Sequence, residues 1–292
     1  MRNRTTTIQN NNKSDNVPPD SVAKKGFSSF DIQLTRVNAS YENRRMKKTD
    51  VLHDISFTVH AGRRLIIMGE NGSGKTTLLR VLAGLLPYSG SILYGEDELR
   101  SLSQFDRASK ISLMSQLTES YYPYTVRETV MMGRYSRTKR RGQNALFNAV
   151  AGVFSGVTKE DREALTALLA DMNLTEIADR RIDTLSGGQL QRIFLARAYA
   201  QDTQVLLLDE PMSHLDLRYQ DELSQRLLHE KKCRTIVGVF HDLYMASNLA
   251  EDIVLLKDGQ LLACGEAGDI LSNKELLSDA FGTDLSRRLT FI

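Results

Sequence analysis

The chain has 292 residues, enough for one large domain or two small ones, and its formal net charge of +2 calls for neither nucleic acid nor an acidic partner. A mean hydropathy of -0.31 and the lack of any apolar run approaching the ~18 residues of a membrane span exclude a transmembrane helix, and the N-terminus carries no apolar secretory stretch. The two cysteines, Cys233 and Cys264, with no C-x-x-C, fit free thiols in a reducing compartment, so the chain is expected in the cytoplasm.

Residues 1–29 are rich in Asn, Thr, Ser, Lys and Pro, with almost no apolar content. Such a segment cannot bury enough surface to offset the entropy of ordering, so a disordered tail is expected. From Phe30 the texture changes. Asp31–Val37 alternates polar with apolar residues, and Ile55–Val59 does the same. Both predict half-buried strands of an antiparallel section. Tyr41 lies between them, where its ring either stacks on a base or packs in the small sheet.

The apolar run Leu65-Ile66-Ile67-Met68 predicts a short buried strand, and Gly69-Glu70-Asn71-Gly72-Ser73-Gly74-Lys75-Thr76 follows it. This octet fits G-x-x-x-x-G-K-[ST], a phosphate-binding loop. The residues after it, from Lys75 through Thr77 to Ala83, carry leucines and a valine at helical spacing, with Gly84 and Pro87 as the stop. Strand, glycine loop and helix are the context the motif requires. The glycines let successive N–H groups face phosphate oxygens at a helix N-terminus. Lys75 would reach the β- and γ-phosphates of ATP, and the Thr76 hydroxyl would ligate Mg²⁺.

Gly90–Gly95 predicts a strand and turn, and Ile111–Gln116 a second buried strand ending in an amide. Residues 118–183 have a helical texture: Val126–Met132, a basic run Lys139-Arg140-Arg141 suited to a solvated loop, a short packing helix over Ala145–Val153, and Lys159–Met172 with Thr158 as N-cap. This block predicts a helical subdomain inserted into the nucleotide domain.

Leu185-Ser186-Gly187-Gly188-Gln189 opens a helix running through Ala198, a second helix start suited to an anion. Val205–Leu208 then forms a wholly apolar strand ending in Asp209-Glu210. Continuous apolarity predicts a parallel strand buried on both faces. Asp209 at its end would hold Mg²⁺, and Glu210 would serve as general base for a water. Ile236–Phe240 is one more buried strand, with His241 beyond it, placed to hydrogen-bond the γ-phosphate. Asp252–Leu256 and Gln260–Ala263 flank Lys257-Asp258-Gly259, a D-G hairpin signal, and Asp269–Phe281 predicts one or two short helices.

Phosphate loop, Gln116, Leu185–Gln189, Asp209-Glu210, Ser213-His214-Leu215-Asp216 and His241 stand in one order. This order resembles the nucleotide-binding subunit of ABC transporters over roughly residues 30–265, leaving 266–292 as a C-terminal helical extension. The resemblance implies an α/β P-loop cassette with a mixed central sheet, an antiparallel β section and an inserted helical subdomain. It implies that Tyr41 stacks on adenine and that Gly69–Thr77 cradle the phosphates. Gln116 would link Mg²⁺ to the helical subdomain, with Thr76 and Asp209 as the other metal residues. Ser186, Gly187, Gly188 and Gln189 would contact nucleotide held by an opposite protomer, and Asp216 would lie in the loop crossing that dimer. Glu210, His241 and Gln116 would carry catalysis. A homodimer sandwiching two ATP molecules is the implied assembly.

Thr125–Val130, Gly133-Arg134-Tyr135 and His214–Gln220 resemble the ATPases of importers for iron complexes: siderophores, haem and cobalamin. Met131–Tyr135 and Ala280-Phe281-Gly282 also resemble zinc and manganese importers. Integral-membrane permease subunits, an extracytoplasmic binding protein and a place on the cytoplasmic face of the membrane follow from the resemblance. A soluble ABC protein acting on ribosomes or DNA is the other class. It fits less well, because one P-loop is present and no sustained heptad pattern separates Thr76 from Leu185. The segment 144–156 is longer than the family pattern.

Overall fold

The computed structural model describes residues 29–42, 48–115, 123–134, 157–230 and 234–283. The expected N-terminal tail, Gln116, the basic run and the 145–153 helix therefore lie outside the described residues, apart from Ser29.

Strands β1 (Ile32–Glu42), β2 (Lys48–Val59), β4 (Tyr88–Tyr94) and β5 (Asp97–Glu98) form an antiparallel sheet in the order β2-β1-β4-β5. The predicted alternation breaks once within β1. Ile32, Leu34, Val37 and Ala39 are buried, while Thr35 and Arg36 are both exposed. A register shift and a left-handed Arg36 (φ 46) mark a bulge that returns the later apolar side chains to the core face. Asn38 Oδ1 steadies this stretch by accepting from the Asp54 N–H at 2.9 Å.

The second sheet has the order β10-β9-β3-β8-β7-β6. It comprises β3 (Arg64–Met68), β6 (Ile111–Met114), β7 (Val205–Asp209), β8 (Thr235–Val239), β9 (Asp252–Lys257) and β10 (Gln260–Glu266). Every pairing is parallel except that of β10 with β9, so the sheet is mixed. β7 and β8 are buried at every position, as continuous apolarity requires of strands covered on both faces. The D-G signal forms the expected turn, with Asp258 at φ 48 and Gly259 at φ 74, the pair of left-handed residues a type I′ hairpin needs.

Helices α1 (Lys75–Leu82) and α2 (Gln104–Lys110) follow β3 and β5. Helices α3 (Val126–Met132) and α4 (Lys159–Asp171) belong to the helical block. Thr125 with Glu128 and Thr158 with Asp161 each close a capping box, so two orphan N–H groups are satisfied reciprocally at both starts. Arg134 joins these helices through Asp161 at 2.7 Å in a nearly dry setting. α5 (Gly187–Ala200) runs one half-turn further than its predicted end, because Tyr199 and Ala200 continue its packing. α6 (Leu217–Leu228), α7 (Leu243–Leu249), α8 (Ala267–Ser272) and α9 (Lys274–Phe281) complete the fold.

Two apolar clusters lie on opposite faces of the parallel sheet. One joins β1, β2 and β4 to α1 and to Leu65, Ile67, Leu207 and Val237. The other joins the alternate residues Ile66, Met68, Leu206 and Leu208 to α3, α4, α5 and the C-terminal helices, including Leu277 and Ala280. The alternation of Leu65/Ile67 with Ile66/Met68 is the strand period at work.

Candidate active site

β3, β7 and β8 are parallel neighbours, so their C-terminal ends open on one edge, where ligands of open α/β sheets bind. β3 delivers Gly69–Thr76, β7 delivers Asp209-Glu210, and β8 delivers His241. Gly69 (φ 139) can only be glycine, since an added Cβ would run into the Leu256 carbonyl oxygen from β9.

Lys75, buried at the start of α1, donates from Nζ to the Gly69 carbonyl at 2.9 Å and the Glu70 carbonyl at 2.6 Å. Burial lowers its pKa, against the opposing charges of Glu210, Asp209 and Glu70. The Thr76 hydroxyl donates to Asp209 Oδ1 at 3.0 Å. Burial raises the Asp209 carboxyl above its ordinary value, and the Thr76 hydroxyl partly offsets that. Glu210 turns away from this pair, and its Oε1 lies 2.8 Å from His241 Nε2. Tyr41 reaches the first turns of α1: its hydroxyl lies 3.4 Å from Thr77 Oγ1 and accepts from Arg80 Nη1 at 3.3 Å.

A triphosphate and its metal fit these residues. Ser73 Oγ is buried in the loop with no hydrogen-bond partner among the described residues, and a Cβ on Gly72 would meet nothing within 4 Å. The loop thus keeps both an unmet polar atom at Ser73 and open space beside Gly72. Thr76 and Asp209 form an oxygen-only donor pair of the kind Mg²⁺ takes.

The Leu185–Gln189 run is not brought onto the phosphate loop. Ser186 Oγ caps α5 by accepting from the Gln189 N–H at 3.4 Å, and Gln189 Oε1 accepts from the Ser186 N–H at 3.0 Å. Gly187 and Gly188 face His214 instead; a Cβ on Gly188 would lie 2.9 Å from the His214 carbonyl oxygen. Asp216 caps α6, its Oδ1 accepting from the Tyr219 N–H at 3.0 Å. Gln116 lies outside the described residues. The contacts of Arg80 with Tyr41, and of Gln191 with Glu210 and Ser213 (Nε2 to the Glu210 carbonyl, 2.9 Å), were not anticipated. For Gln191 the available signal was its helical spacing, four residues after Gly187 on one face.

The model of the family described as "ABC transporter" matches residues 52–213. The chain is similar to the petrobactin import ATP-binding protein FpuD of Bacillus anthracis, 35% identical over 253 residues, covering 86% of each chain. It is also similar to the ferric enterobactin transport ATP-binding protein FepC of Escherichia coli (strain K12), 33% identical over 238 residues, covering 80% of this chain and 83% of the relative. Among solved structures it resembles a dimeric post-hydrolysis state of an ATP-binding cassette bound to ADP and Pi. The TM-score is 0.68 at 26% identity, covering 81% of this chain and 98% of that one.

Proposed function

This chain belongs to the ABC transporter family as an ATP-hydrolysing import subunit, and from that premise we propose that it powers uptake of an iron complex, a siderophore or haem, or of cobalamin. Relatives named for petrobactin and ferric enterobactin support the cargo class. The observation that carries the mechanism is the division of labour at the end of β7: Asp209 bonds Thr76, while Glu210 bonds His241.

In this reading Lys75 exchanges its two loop carbonyls for phosphate oxygens, a swap that leaves its charge paired in a buried place. Thr76 and Asp209 would hold Mg²⁺, whose charge would offset that of the phosphates. Glu210 accepts the proton of the attacking water, and His241, within hydrogen-bond reach, orients that carboxylate and contacts the γ-phosphate. Tyr41 offers its ring to adenine beside α1.

Ser186–Gln189 are capped on a separate helix start, which supports their use toward nucleotide on a second copy. Closure of two such cassettes would move permease subunits docked on the helical subdomain at the cytoplasmic face, fed by an extracytoplasmic binding protein. No helix among the described residues is long and apolar enough to cross a membrane.

Co-purification tests this. The tagged chain is extracted gently from membranes and its partners identified by mass spectrometry. A polytopic permease whose co-expression restores iron-chelate uptake is the expected result. A zinc or manganese permease would replace the cargo class, and ribosomal or DNA-repair partners alone would overturn transport.

A further inference from the structure

Gln191 is 1% exposed, on the face of α5 that carries Gly187. Its Nε2 donates to the Glu210 carbonyl oxygen at 2.9 Å and lies 3.4 Å from Ser213 Oγ. Ser213 directs two donors to the same carbonyl, its hydroxyl at 2.9 Å and its backbone N–H at 3.2 Å. Three donors therefore converge on one oxygen.

The residue they hold is under backbone strain. Glu210 has φ 50, a left-handed conformation that a side-chain-bearing residue keeps only where its surroundings impose it. From that backbone the Glu210 carboxylate reaches His241, Oε1 to Nε2 at 2.8 Å. Meanwhile Gln191 Oε1 is buried with no hydrogen-bond partner among the described residues. A methionine of the same length would fill this place without an idle polar atom. What the amide adds is the donor for Glu210.

We infer that Gln191 is a positioning residue for ATP hydrolysis, fixing from α5 the backbone that carries the general base. The start of the same helix packs on His214 through Gly187 and Gly188. The inference rests on the assignment of Glu210 as base.

The test measures ATP turnover and ATP binding by the purified full-length chain, wild type beside Gln191→Met, Ser213→Ala, their double variant and Glu210→Gln. Gln191→Met should lower kcat roughly tenfold to hundredfold, the loss expected when a reacting group is misplaced by about an ångström. KM and ATP affinity should hold, since no phosphate contact changes. The double variant should lose less than the product of the single losses, because both side chains hold one carbonyl. Gln191→Met with a lowered melting temperature but wild-type kcat, while Glu210→Gln is slow, overturns the positioning role alone. A normal rate for Glu210→Gln overturns the base assignment and this inference with it. If Gln191→Met does not fold, Gln191→Leu, donor-free and smaller, decides by the same readings.

Discussion

Glu210 and His241, just past the ends of two adjacent parallel strands, meet at 2.8 Å between Oε1 and Nε2, while the residue before Glu210 bonds Thr76. Two consecutive carboxylates are thus committed to different partners. Asp209 closes the extended strand, whereas Glu210 follows it in a left-handed backbone (φ 50), and so the two carboxylates reach different partners. Glu210→Gln should keep ATP affinity and slow hydrolysis by roughly 10²–10⁴-fold, the usual loss of a general base. Near-normal single-turnover rates would refute the role.

Lys75→Ala should abolish measurable ATP binding by calorimetry. It removes the buried cation that donates to the Gly69 and Glu70 carbonyls at the start of α1. Unchanged affinity would mean that the loop amides alone bind nucleotide.

Asp209→Asn should raise the Mg²⁺ concentration needed for half-maximal hydrolysis, with ATP affinity in chelator little changed. The variant keeps an oxygen near Thr76 but loses the charge that a hard cation selects. An unaltered Mg²⁺ titration would remove Asp209 from the metal site.

The edge where β3, β8 and β7 end was legible in the sequence because its signals are local. A glycine octet between an apolar run and a leucine-spaced helix dictates strand, turn and helix without tertiary information. Val205–Leu208 announces burial on both faces by composition alone, and Thr158 caps α4 as expected. What was not legible depends on pairing. Thr35 and Arg36 stand as two polar residues in succession, but that they form a bulge shows only when β1 is set against β2 and β4. The bond from Gln191 to the Glu210 carbonyl spans 19 residues, and nothing in either segment alone discloses it.

The helical block makes a pH prediction. Burial would raise the Asp161 carboxyl, but the hydrogen bond and charge of Arg134, with the Thr158 cap, hold it below its ordinary value. A depressed folded-state pKa gives stability that is complete above the unfolded value and lost as pH falls through the folded one. Asp161→Asn should therefore cost about 3 kcal/mol near neutrality, as for a broken buried pair. The gap from wild type should close as pH drops below the ordinary aspartate value of about 3.9. Denaturant midpoints across pH check it; a gap independent of pH would mean the contact is not ionic.

Import of an iron complex is the central claim, and transport itself tests it most directly. Cells lacking this chain would be supplied with wild type, Lys75→Ala or no gene, and uptake of radiolabelled iron chelates, haem and cobalamin measured beside zinc and manganese. The account predicts loss of uptake for one of the iron complexes or cobalamin, restored by wild type and not by Lys75→Ala. Unchanged uptake of all three, with zinc or manganese entry lost instead, would contradict it.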